Sequence, residues 1–125
     1  MMRSALYIDD DPSMLDVVKT YLEFVDDLKV DTVACPRRAL EIVENYRYDT
    51  IICDYSMPGM NGVEFLKEFR ERDRETPFIL FTALDYDRLE GWPFPACFFV
   101  QKGADISRVF EDLALTIDQV MKDGL

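Results

Sequence analysis

Five side chains stand where the apolar runs of this 125-residue sequence stop. Asp9 and Asp10 follow Ser4–Ala5–Leu6–Tyr7–Ile8, and Asp54 follows Thr50–Ile51–Ile52–Cys53. Thr82 follows Phe78–Ile79–Leu80–Phe81, and Lys102 stands just beyond Cys97–Phe98–Phe99–Val100. Two carboxylates ~4 Å apart repel by about 4 kcal/mol at an effective dielectric near 20, so three of them in one crevice need a counter-charge. Lys102 offers one positive charge, and a hard divalent cation is the natural complement. An oxygen-only donor set without His or Cys suits Mg²⁺, which takes one or two carboxylates, keeps waters and completes its shell with a phosphoryl oxygen. A carboxylate can itself be the nucleophile of phosphoryl transfer, forming an aspartyl phosphate. Metal, lysine and one hydroxyl donor would then neutralise the transferring group.

Such a site exists only if the runs are strands whose carboxyl ends converge. Their continuous apolar character predicts strands covered on both faces, as in parallel sheets. Between them lie helical periodicities: Leu15, Val18, Leu22 and Val25 after Asp11–Pro12, a cap and first-turn pair; then Ala39, Leu40, Val43 and Tyr46 after Pro36. Val63, Leu66 and Phe69 follow the turn-rich Met57–Gly62, and Ile106, Val109, Phe110, Leu113, Ile117 and Val120 form the last helical face. Val30–Ala34 reads as a further strand with a polar centre. Five strands alternating with helices predict an open, doubly wound α/β sheet, with ligands at the carboxyl ends of its strands. The length predicts a single domain over residues 1–125.

Composition narrows the chemistry. With 25 Asp+Glu, 14 Lys+Arg and no histidine, the formal charge is −11. That balance argues against direct binding to nucleic acid or to an anionic membrane. The missing histidine excludes a Ser-His-Asp triad, a His-containing zinc site and a phosphohistidine on this chain. No apolar run approaches the ~20 residues of a membrane span. Cys35, Cys53 and Cys97 are widely spaced without a CxxC pair, and read as small buried thiols of a cytoplasmic protein.

The residues at these strand ends resemble a known family. YIDDDPSM, CDYSMPGMNG, FTA and FFVQK are together similar to the receiver domain of two-component response regulators, over essentially the whole chain. The resemblance implies a flavodoxin-like fold of five βα units. It implies that Asp54 accepts a phosphoryl group from a phosphohistidine on a partner histidine kinase or phosphotransfer protein. Asp10 would be a direct Mg²⁺ ligand, Asp9 a ligand through water, and Asp54 and the Ser56 carbonyl further ligands. Thr82 would be the switch hydroxyl, Lys102 the phosphoryl partner, and Phe99 the aromatic that reports to the far face. Ser56 and Leu84 fall where the family tunes acyl-phosphate lifetime. A downstream output domain or protein would read the state.

Three departures stand out: Gly103 replaces the usual proline after the lysine, the switch aromatic Phe99 has no hydroxyl, and Gly91, Pro93 and Pro95 shorten the expected fourth helix. The last predicts a remodelled face in which Trp92 and Phe94 pack against the domain or a partner. The enzyme alternative is a Mg²⁺-dependent Asp-nucleophile phosphohydrolase. Such enzymes carry a second Asp two residues past the nucleophile, where this chain has Ser56, and no histidine is present to activate water. A phosphoacceptor rather than a turnover enzyme is expected.

Overall fold

The computed structural model describes residues 3–84 and 97–123. The chain runs β1 (Arg3–Ile8), α1 (Pro12–Val25), β2 (Leu28–Val33), α2 (Pro36–Asn45), β3 (Thr50–Cys53), α3 (Gly62–Arg72), β4 (Phe78–Thr82), β5 (Cys97–Gln101) and α4 (Ile106–Asp123). The strands form one sheet in the order β2-β1-β3-β4-β5, and every neighbouring pair is parallel. This is the predicted flavodoxin-like, doubly wound architecture. The shortened fourth helix, and Trp92 and Phe94 with it, falls in residues 85–96 and so lies outside the described residues.

Strand alternation divides the core. Ala5, Tyr7, Ile52, Ile79 and Phe81 point to the face covered by α1 and α4, where Val18, Leu22, Val109, Leu113 and Ile117 meet them. Leu6, Ile8, Ile51, Cys53, Phe78 and Leu80 point to the opposite face, against Ala39 of α2 and Val63, Leu66 and Phe69 of α3. Cover on both faces holds for the interior strands β1, β3 and β4. It fails at the two edges, where β2 alternates and β5 leaves Phe98 exposed. Three residues assigned to apolar helix faces also lie open, because they stand at helix ends: Val25, Tyr46 and Ile106. Cys35 is exposed rather than buried, as it sits at the cap position before α2. No helix among the described residues is long and apolar enough to cross a membrane.

The first helix starts where the sequence predicts. The Asp11 side chain accepts from the Ser13 and Met14 amides at 3.0 and 3.4 Å, and Pro12 opens the helix. At α3 the reciprocal pair is complete: Asn61 Oδ1 accepts from the Glu64 amide at 2.8 Å, and Glu64 Oε1 accepts from the Asn61 amide at 2.9 Å.

Candidate functional site

Strand order reverses around β1, which has β2 on one side and β3 on the other, so the crevice opens at the carboxyl ends of β1 and β3. Asp9 and Asp54 stand there side by side, because the Asp54 amide donates to the Ile8 carbonyl at 2.9 Å and continues the β1–β3 ladder. Asp9 is 1% exposed and Asp54 8%, whereas Asp10 faces solvent. One carboxylate oxygen from each of Asp9, Asp10 and Asp54 falls within 4.8 Å of the others. Three acids separated by as many as 45 sequence positions thus form one oxygen-only donor cluster (54 − 9).

Lys102 enters from the other side. Its ammonium lies 3.0 Å from Asp9 Oδ2 and 3.7 Å from Asp54 Oδ1, and 5.0 Å from the centre of the Phe81 ring. Its backbone N–H donates to the Thr82 carbonyl at 2.7 Å, extending the β4–β5 pairing to the site. Thr82 is 1% exposed, and its hydroxyl lies near enough to the Asp54 carboxylate to favour its charged form. Asp54 Oδ1 also accepts from the Tyr55 amide at 2.8 Å. Burial pushes the Asp54 carboxyl above its ordinary value; Lys102 opposes that, Asp9 adds to it, and the Tyr55 bond and the Thr82 hydroxyl oppose it again. Lys102 thus only partly relieves a buried acid beside another acid, and a divalent cation would supply the remaining positive charge. Oxygen donors of this kind fit Mg²⁺.

The profile of the response regulator receiver domain matches residues 5–114. The chain belongs to the response regulator receiver family. The receiver is 31% identical over 106 residues to the response regulator Rre1 of Synechocystis sp., covering 82% of this chain and 46% of that protein. It is 32% identical over 82 residues to the response regulator SaeR of Staphylococcus aureus, covering 66% of this chain and 35% of that protein. The chain therefore spans less than half the length of these curated relatives. The response regulator TrrA of Thermotoga maritima, solved in complex with Mg²⁺-BeF, matches the receiver fold with a TM-score of 0.84 at 27% identity, over 95% of this chain and 99% of that one. TrrA in a complex with the histidine kinase ThkA matches with a TM-score of 0.83 at 27% identity, over 95% and 98% of the two chains. The phosphohydrolase alternative is not favoured by any of this.

The receiver brings together Asp9, Asp10, Asp54, Thr82 and Lys102 from their predicted strand ends. Ser56 is exposed on the loop after Asp54. Leu84 is half-buried and its amide donates to Thr82 Oγ1 at 3.3 Å. Phe99 is half-buried and, like Leu84, packs against the core on the α2–α3 side of the sheet. A Cβ at Gly103 would meet Val109 Cγ2 at 4.0 Å, an ordinary contact.

Two contributors escape a reading of residue types alone. The first is Gly62: a Cβ there would stand 2.4 Å from the Asp54 carbonyl oxygen and 2.7 Å from Leu80 Cδ1. Its amide donates to the Tyr55 carbonyl at 2.8 Å, folding the loop back against the strand end. The second is Tyr7, whose hydroxyl donates to Asp9 Oδ2 at 2.6 Å. Burial first, then the bond to Asp9, pushes the Tyr7 phenol far above its ordinary value, so it remains a donor. Tyr7 hides inside an apolar run because its ring behaves as core. The signal available was its spacing of two from Asp9, which places both on one face of a strand.

Proposed function

We propose that this receiver domain accepts a phosphoryl group on Asp54 from a phosphohistidine of a partner histidine kinase or phosphotransfer protein, with Mg²⁺ held by Asp9, Asp10, Asp54 and the Ser56 carbonyl. The observation that carries this reading is the buried Asp54 carboxylate, grouped with two further acids and 3.7 Å from the Lys102 ammonium. In the transfer, an Asp54 carboxylate oxygen bonds to phosphorus while the nitrogen–phosphorus bond to the donor imidazole breaks. The carboxylate needs no general base, which suits a chain without histidine. Bound Mg²⁺ supplies charge neutralisation to the phosphoryl oxygens. Lys102 is close enough to turn from Asp9 toward the new phosphoryl oxygens, and the Thr82 hydroxyl, at the end of the neighbouring strand β4, donates to them.

Phe99 takes the role of the reporting aromatic, and Ser56 and Leu84 set how long the acyl phosphate lasts. Residues 1–125 act as one receiver unit, either free-standing or within a longer regulator or hybrid kinase, that passes its state to an output domain or protein. The oxygen-only acidic site and the −11 charge give no footing for direct nucleic-acid or membrane binding. Three free thiols agree with a cytoplasmic setting.

The test is incubation with a small phosphoryl donor and Mg²⁺, followed by intact-mass measurement. One acid- and hydroxylamine-sensitive phosphoryl adduct is expected, absent from Asp54→Asn and blocked by a chelator. Steady phosphate release with no adduct would overturn the reading in favour of a hydrolase.

A further inference from the structure

Asp9 is held by more donors than its place in the acidic cluster requires. Its Oδ1 accepts from the Asp11 amide at 3.0 Å. Its Oδ2 accepts from the Lys102 ammonium at 3.0 Å and from the Tyr7 hydroxyl at 2.6 Å. Tyr7 and Asp9 leave β1 on the same face, and the Tyr7 ring lies fully buried against Phe81, with centroids 6.2 Å apart. Phe81 in turn lies under the Lys102 ammonium. The contacts close a ring from phenol to carboxylate to ammonium and back through two aromatic rings. Packing alone does not call for the hydroxyl, since a phenylalanine ring would fill the same volume among Ala5, Ile52 and Phe81. The oxygen is buried, must have an acceptor, and has a carboxylate of the candidate metal cluster.

Lys102 serves two acids at once. If it turns to a phosphoryl group on Asp54, Asp9 Oδ2 loses its cationic donor, and a bare buried carboxylate oxygen would swing or repel its neighbours. Tyr7 is placed to prevent that, because its hydroxyl is anchored by a ring that cannot follow Lys102. We propose that Tyr7 is a positioning residue for Mg²⁺ binding, its hydroxyl keeping the Asp9 carboxylate aimed at the metal site whether or not Lys102 is engaged there. The inference rests on the Mg²⁺-dependent phosphoacceptor reading above. Outer hydrogen bonds to metal-ligating groups fix ligand orientation, and their removal typically costs about 10–100-fold in metal affinity.

The experiment is a calorimetric titration of the chain with Mg²⁺ for the wild type, Tyr7→Phe and a packing control, Ile52→Val. Ile52 is the β3 register partner of Tyr7, shares its core cluster and has no polar side-chain atom to offer the carboxylates. Tyr7→Phe is expected to weaken Mg²⁺ binding roughly tenfold, while Ile52→Val lowers the melting temperature and leaves the affinity unchanged. In a Lys102→Ala background the loss on Tyr7→Phe should be larger, because no second side chain then holds Oδ2. Unchanged affinity in Tyr7→Phe, or an equal loss in Ile52→Val, would overturn the proposal, as would a loss no larger in the Lys102→Ala background. If the wild type itself takes up no Mg²⁺, the phosphoacceptor reading fails and Tyr7's role falls with it, an outcome the titration separates from a failure of Tyr7 alone.

Discussion

Asp54 carries a conflict that a substitution can expose. It is nearly buried, lies beside Asp9, and shares a single ammonium with it. Asp54→Asn removes one of the two charges competing for Lys102 while keeping the shape of the side chain. In metal-free buffer the variant should be more stable than wild type by on the order of 1 kcal/mol, with the like-charge repulsion at an effective dielectric near 20 as the upper bound. Thermal melting with a chelator checks this, and saturating Mg²⁺ should narrow the gap by stabilising the wild type more. A lower melting temperature for Asp54→Asn would mean that the Lys102 attraction outweighs the repulsion. The grouping of Asp9, Asp10, Asp54 and Lys102 was legible because parallel strands bring their carboxyl ends together; alone, Lys102 reads as a surface lysine and Thr82 as an ordinary turn residue, and only their place at strand ends gives them weight. Tyr7 was not legible as a site residue, since an aromatic ring inside a strand is explained by burial alone. Cys35 misled for the opposite reason: it neighbours apolar residues in sequence but stands at an exposed helix cap.

At the scale of elements, the loop between β3 and α3 decides where Asp54 points. Gly62 lets α3 begin against the Asp54 carbonyl, where a Cβ would come to 2.4 Å of the oxygen. Gly62→Ala gains less than the ~1 kcal/mol of helix propensity that an interior position would give, because Gly62 is the first residue of α3. The clash is with backbone, which cannot yield as a side-chain tip can, so a net destabilisation of about 1–3 kcal/mol is expected. Denaturant unfolding measures it, and a slower phosphorylation of Asp54 should accompany it. A variant as stable as wild type would show that the loop relaxes freely. The helix itself was readable from Val63, Leu66 and Phe69, but the Gly62 contact is a distance between chain segments, and composition does not encode distances. The β5 edge illustrates the same limit. Cys97–Val100 is as apolar as an interior strand, and only the strand order puts β5 at the end of the described sheet, whereas Val30–Val33 carries a polar centre, Asp31–Thr32, that agrees with the place of β2 at the other end.

For the whole molecule, the formal charge of −11 and the clustered acids make the response to cations informative. Added NaCl acts by screening, which is general, whereas a bound divalent ion stabilises through its site. Mg²⁺ should therefore raise the melting temperature more than NaCl at matched ionic strength, by ~2.7 kcal/mol of stability at a hundredfold excess over the dissociation constant. Equal effects of the two salts would count against a specific site. The alternation of strands and helices was enough to read the fold, because strands that pair in parallel need helical crossovers between them. Which residues cover the crevice rim could not be read in the same way. One bond described above has a mechanical meaning. The Lys102 N–H donates to the Thr82 carbonyl at 2.7 Å, so the strand ends that carry the hydroxyl and the ammonium are joined by a backbone hydrogen bond. Neither strand end can shift without carrying the other. Among the described residues, β1 and β3 have paired strands on both sides, and β5 pairs with β4. A displacement that starts at the Thr82 end of β4 is therefore handed to the Lys102 end of β5 through that bond.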